Sequence, residues 1–120
     1  MRGRWWTLVV ITLGAGCPPR TSEYGFPGDY AAAMCEKSEI CQWAELPVDY
    51  DECTDLLEAA VDAERDICSD FSLAAARDCL SEIRRMSCDQ GSAYQEPGRY
   101  PGSCAAVYDC YGTTYTTPDY

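Results

Sequence analysis

From residue 29 onward the chain alternates between stretches of helical periodicity and short turn-rich breaks. Residues 29–45 (DYAAAMCEKSEICQWAE) place Tyr30, Ala33, Met34, Ile40 and Cys41 on one face, which predicts a first helix with Asp29 as its N-cap and Pro47 as its stop. A second helix begins near Asp49. Cys53, Leu57, Ala60, Val61, Glu64 and Cys68 recur there at three- and four-residue spacing, flanked by Leu56 and Ile67. Asp51 and Glu52 lie in its first turn, where carboxylates favour the positive helix end. Residues 69–72 form a turn, and Ser72 caps a third helix carrying Ala76, Cys79, Leu80, Ile83 and Met86 inward. Arg84 and Arg85 suit its negative end.

Residues 89–103 read as a long ordered loop, rich in Gly and Pro. Residues 103–111 predict a short fourth helix bearing Cys104, Val107, Tyr108 and Cys110, and the Thr- and Tyr-rich residues 112–120 a disordered tail. The pattern therefore predicts an all-α fold: a small disulfide-stapled bundle of three to four short helices over residues 29–111.

Upstream the pattern changes character. Arg2 and Arg4 precede an apolar run at residues 5–13 (WWTLVVITL), the arrangement of a signal peptide over residues 1–16. The run is too short for a bilayer-spanning helix, which needs roughly 20 apolar residues. Residues 17–28 hold three prolines and two glycines without periodicity, which predicts a flexible tether. Its Tyr24 and Phe26 are candidates to dock on the domain.

Gly14 and Gly16 are small residues at the −3 and −1 positions before Cys17. The stretch Leu13-Gly14-Ala15-Gly16-Cys17 resembles the lipobox of bacterial lipoproteins, with Leu13 one place earlier than the usual leucine. The resemblance implies that Cys17 begins the mature chain and carries thioether-linked fatty chains. Pro18 then follows the anchor, and by the same resemblance it does not signal retention at the inner membrane. An outer-membrane lipoprotein, facing either the periplasm or the surface, is the expected location.

Parity agrees with lipidation. Of nine cysteines, Cys17 takes lipid and eight remain to pair: Cys35, Cys41, Cys53, Cys68, Cys79, Cys88, Cys104 and Cys110. An oxidising, extracytoplasmic compartment is implied. Eight cysteines allow 105 connectivities. If the second and third helices form an antiparallel hairpin, Cys53 falls opposite Cys88, and that bridge is expected. The shared five-residue gap in Cys35–Cys41 and Cys104–Cys110 suggests that helices one and four are cross-linked.

Charge narrows the partners. The 120-residue chain carries 9 basic and 20 acidic residues, a formal charge of −11, and no histidine. Loss of residues 1–16 removes two bases and no acids, leaving seven against twenty, or −13. Such a surface repels nucleic acid and the headgroups of an anionic bilayer. Asp51, Asp55, Glu58, Asp62 and Asp66 follow at steps of four, three, four and four, all on one helix face. The plain reading is a solvated flank. The functional reading is a docking face for a basic protein or peptide, or a weak calcium site.

Catalytic and metal signatures are missing: no Cys-x2-Cys pair, no Gly-x-Ser-x-Gly elbow, no phosphate loop and no calcium loop of the EF-hand kind. No enzyme activity, cofactor or catalytic residue is expected. Tyr30, Tyr50 and Tyr108 are assigned to the core, and the other tyrosines to loops where they could form a recognition surface.

The layout Tyr30-x4-Cys35-x5-Cys41, Cys53, Cys68, Phe71, Ala76-x2-Cys79-Leu80, Cys88, Cys104-x2-Val107-x2-Cys110 resembles small cysteine-rich helical lipoproteins of myxobacteria. That resemblance implies export, a lipid anchor and a helical disulfide scaffold, and assigns no catalytic residue. The leading expectation is an envelope-anchored, non-catalytic binding or structural module. The rivals are a secreted effector or inhibitor cut before Cys17 without lipid, and a cation-binding protein using the acidic flank.

Overall fold

The computed structural model describes residues 20–68 and 70–109. The predicted signal segment, Cys17, Cys110 and the tail lie outside them. Among the described residues, five helices and two short strands follow in order: α1 Phe26–Cys41, α2 Tyr50–Ile67, β1 Asp70–Phe71, α3 Leu73–Arg85, α4 Cys88–Ser92, α5 Gly102–Ala105 and β2 Tyr108–Asp109. The fold is mainly helical, as the periodicity predicts.

Helix α1 is the centre of the packing. Its buried residues, among them Phe26, Tyr30, Ala31, Met34, Cys35 and Ser38, spread over roughly half of the helix circumference, because both α2 and α3 pack on α1. It starts three residues before the expected Asp29. Pro27 occupies the first turn, where its missing N–H costs nothing. The Gly25 amide donates to Ser22 Oγ at 3.0 Å, and the Phe26 and Asp29 amides to the Ser22 and Gly25 carbonyls. Asp29 thus stands inside the first turn and is not the cap. Phe26, placed in the tether as a candidate to dock, is 2% exposed and does dock, whereas Tyr24 is 74% exposed: the Phe26 ring lies 6.0 Å from those of Tyr30 and Tyr108.

The helix also ends sooner than Pro47 would require. Gln42 takes a left-handed conformation (φ 56°, ψ 45°), and the Gln42 and Trp43 amides both donate to the Ser38 carbonyl, closing the helix after Cys41. Ile40, expected in the core stripe, is 79% exposed.

Helices α2 and α3 follow their sequence signals closely. The Asp49 carboxylate accepts from the Glu52 amide, and Ser72 Oγ from the Ala75 amide, each supplying an acceptor for an otherwise unpaired first-turn donor. Cys53, Leu57 and Val61 of α2 are buried, as are Ala76, Cys79, Leu80 and Ile83 of α3. Leu56 and Ile67, expected beside the core, point outward at 41% and 73% exposure.

The predicted fourth helix is cut to one turn, α5, followed by β2. Strand β2 pairs antiparallel with β1, Phe71 opposite Tyr108 and Asp70 opposite Asp109. The Ser72 amide extends the contact to the Val107 carbonyl at 2.9 Å. Phe71 and Tyr108 rings meet at 5.6 Å, and Val107 is fully buried. A two-residue pairing is too short to show as alternation in the sequence. At the entry to the expected loop, Ser87 and Gln90 form a reciprocal capping box that starts α4.

Three bridges join described cysteines: Cys35–Cys53 (α1 to α2), Cys41–Cys88 (α1 to α4) and Cys79–Cys104 (α3 to α5). The expected Cys53–Cys88 bridge is therefore incorrect. It assumed that α2 and α3 face each other, whereas both face α1, so Cys53 meets Cys35 and Cys88 meets Cys41. The expected link between helices one and four also fails, because Cys104 turns to α3. Glu82 of α3 reinforces that junction by accepting from the Ser103 amide (3.2 Å) and hydroxyl (2.6 Å).

Trp43 seals the end of α1 against α4. Its Nε1 donates to the Cys88 carbonyl at 3.0 Å, and its ring covers Gly91 so closely that an added Cβ would stand 2.5 Å from Cζ2. Gly91→Ala should therefore destabilise the fold by about 1–3 kcal/mol through overpacking. A lowered urea midpoint, with an altered Trp43 fluorescence spectrum in the native state, is the expected result.

Candidate functional site

Helix α2 carries seven acids and one base. Of the predicted acidic residues, Asp51, Asp55 and Asp66 are exposed, while Glu58 and Asp62 are half-covered. The five share a flank but do not act alike. Arg65 reaches back to Asp62 at 3.1 Å and forward to Asp66 at 3.6 Å. The hydrogen bond that Arg65 donates to Asp62 raises the Arg65 pKa still further, and the guanidinium lies 4.9 Å above the Tyr24 ring centre. Asp51, Asp55 and Glu58 form no ion pair with a described residue. Glu58 leans on the start of α1, 3.6 Å from where a Cβ on Gly28 would lie. Among the described residues no group of three or more potential ligands gathers to hold a metal ion.

Beside the acids runs an apolar ridge: Leu56, Ala59, Ala63 and Ile67 are all exposed. Their steps of three, four and four set them on one line of the helix, away from the Cys53–Leu57–Val61 line against α1. Charge alone leads to the acids in the sequence. The ridge is hidden there because Leu56 and Ile67 look like the margin of a core stripe, and only the placement of α1 shows that they are left uncovered.

A recess of about 280 Å³ opens beside the Cys35–Cys53 bridge, lined in part by Trp43, Pro47, Val48 and Tyr50. Val48 is 96% exposed, and Tyr50, assigned to the core from sequence, is 38% exposed. Tyr50 opens α2 at its outer end, so its ring has no second helix to pack beneath. The other two core tyrosines are buried as expected.

The aromatic end is packed tightly. Tyr100, from the long loop, meets Tyr30 edge-on at 5.5 Å, so this loop tyrosine serves packing more than recognition. Its hydroxyl is buried without a hydrogen-bond partner among the described residues. The Tyr108 hydroxyl donates to the Glu23 carbonyl at 2.6 Å, tying residues before α1 to β2. Burial pushes the Tyr30 hydroxyl far above the ordinary tyrosine range, with Tyr100 and Tyr94 adding to the effect. Burial lifts Tyr100 to about 12, helped by Glu64. Burial likewise lifts Tyr108 to about 12, although Arg65 opposes it.

All seven described cysteines are disulfide-bonded. Six pair among themselves, and the partner of Cys68 lies outside the described residues. Among the described residues no helix is long and apolar enough to cross a membrane. The class so defined is a small disulfide-stapled helical protein, compatible with export. No protein-family model, curated protein or solved structure matches the chain.

The tyrosines set a pH dependence. Unfolded tyrosine ionises near 10.0 while Tyr100 and Tyr108 in the fold hold their protons to about 12. The folded state thus binds more protons in this window, and stability is full below pH 10 and falls as pH rises towards 12. Urea midpoints should decline across that range, with a shallower decline in Tyr100→Phe. A pH-independent midpoint would show that these rings ionise freely in the fold.

Proposed function

We propose that the chain is a lipid-anchored, non-catalytic binding module of the cell envelope. The observation that carries this reading is the cysteine arithmetic. With six described cysteines paired to one another and Cys68 bonded elsewhere, the sulfurs left are those of Cys17 and Cys110. Cys110 follows Asp109 by one peptide, about 3.8 Å between Cα atoms, and Asp109 pairs with Asp70, two residues after Cys68. The strand pairing up to Asp109 supports Cys110 as the partner of Cys68. Cys17 is then the sulfur without a bridge, at the cut-site position where a bacterial lipoprotein takes its diacylglycerol. Its anchor would sit at an outer membrane, with the bridged helices beyond it.

The face that fits binding is the outer side of α2. An uncovered apolar ridge flanked by carboxylates complements an amphipathic cationic segment of another protein. The absence of histidine and of a recognisable nucleophile arrangement supports a non-catalytic role. Among the described residues no gathered ligand set favours the calcium alternative.

Mass spectrometry of the protein exported by a bacterial host is the primary test. The expected products are a mature chain starting at Cys17 with a diacylglycerol thioether, and an unreduced peptide joining Cys68 to Cys110. An unmodified Cys17 would instead favour the soluble secreted form, and a Cys17–Cys68 bridge would overturn the anchor altogether. For the binding face, a cationic amphipathic peptide should bind the wild type, and Leu56→Ser with Ile67→Ser should weaken it about tenfold or more, a loss of about 1.4 kcal/mol. Equal affinity, measured by fluorescence anisotropy, would remove α2 as the docking surface.

A further inference from the structure

A second concavity lies between α1 and α3, with no α2 residue in its lining, and encloses about 380 Å³. That is within the range typical of small-molecule sites. Its floor is apolar: Leu80 and Ile83 of α3 form the buried base, and Ala33 with the exposed Ile40 of α1 provides the rim. Three cations come to it from separate parts of the chain: Arg20 from ahead of α1, Lys37 from the middle of α1, and Arg84 from the last turn of α3. The mature chain carries seven basic residues against twenty acids, so the convergence of three is a marked local reversal of charge.

None of the three forms an ion pair with a described residue, although acids are abundant. Lys37 is positioned by one hydrogen bond, Nζ donating to the Arg84 carbonyl at 3.0 Å. An ammonium has three donors, so two remain available. Asp29 and Glu36 also line the groove, which leaves it one positive charge in excess. That balance suits a single anionic group and disfavours polyanions such as nucleic acid or polyphosphate. The apolar floor next to the cations suits an alkyl chain attached to that group.

We propose that this groove binds a monoanionic single-chain amphiphile, a fatty-acid-like carboxylate. Its head lies between Lys37 and Arg84, and its chain runs along Ala33, Ile40, Leu80 and Ile83. The proposal names a small ligand for the binding role inferred above and rests on that role, but not on acylation of Cys17.

The test uses the exported, disulfide-bonded chain with Cys17→Ser, so that no acyl group of its own competes. Sodium decanoate below its micelle-forming concentration is titrated and followed by the methyl NMR signals of Ala33 and Ile40. Saturable one-to-one binding is expected, weakened by added salt. The Lys37→Gln, Arg84→Gln double variant should raise Kd about tenfold or more, while Arg77→Gln, on α3 outside the groove, should not change it. Both substituted groove residues are on the surface, and an unchanged urea midpoint would confirm that the variant folds. The proposal fails if decyltrimethylammonium binds equally well, if propionate does, if the double variant retains full affinity, or if no saturable binding occurs. Failure here leaves the mass of the wild-type N-terminus and the peptide affinity of α2 untouched, so the two readings fall separately.

Discussion

The structure depends on α1 being enclosed from more than one direction. Tyr30, Ala31 and Met34 are at most 1% exposed, and each neighbouring helix takes its position from the side of α1 that it covers. Burying a large apolar side chain contributes about 1.5–3 kcal/mol, yet a core this small is marginal without help. Two of the three described bridges leave from α1 itself, Cys35 to α2 and Cys41 to α4. They tie to the central helix both its long neighbour α2 and the five-residue α4. The third, Cys79–Cys104, binds α5 to α3 and so attaches the C-terminal segment. Each bridge of this kind contributes about 2–4 kcal/mol, a large part of the total stability of a small protein.

The far end is held by aromatic contacts in place of helix packing. Phe26, Tyr30, Phe71, Tyr100 and Tyr108 meet in a chain of tilted and edge-on contacts, and the two-residue strand pair brings Phe71 and Tyr108 together. The Tyr108–Glu23 hydrogen bond then draws in the segment that leads to the N-terminus. Phe26, which looks like part of a linker in the sequence, is in this way part of the core.

Enclosure of α1 also separates the charges. Helix α2, on one side of its contacts, is left with an acidic flank and an uncovered apolar ridge. The groove between α1 and α3 gathers cations. A strong net negative charge therefore does not describe the surface uniformly, and the two faces call for ligands of opposite charge. Recognition of a cationic segment on α2 and of a monoanion in the groove would be compatible, since the two share no lining residue.

The sequence by itself determined what depends on neighbours a few residues apart. The limits and inner faces of α2 and α3 were legible because Asp49 and Ser72 cap their own helices, and because a one-sided apolar stripe identifies the side that packs. The participation of Cys35, Cys41, Cys53, Cys68, Cys79, Cys88 and Cys104 in disulfides was legible from composition. Their pairing was not, because it follows from which helix lies between which. The same holds for the ends of α1, set by the burial of Phe26 and the left-handed turn at Gln42, and for the exposure of Ile40, Leu56, Ile67 and Tyr50. The convergence of Arg20, Lys37 and Arg84, residues far apart along the chain, came only with the packing of α3 on α1. Local hydrogen bonds and periodicity are written in consecutive residues, whereas the choice of neighbour is made by the whole fold at once.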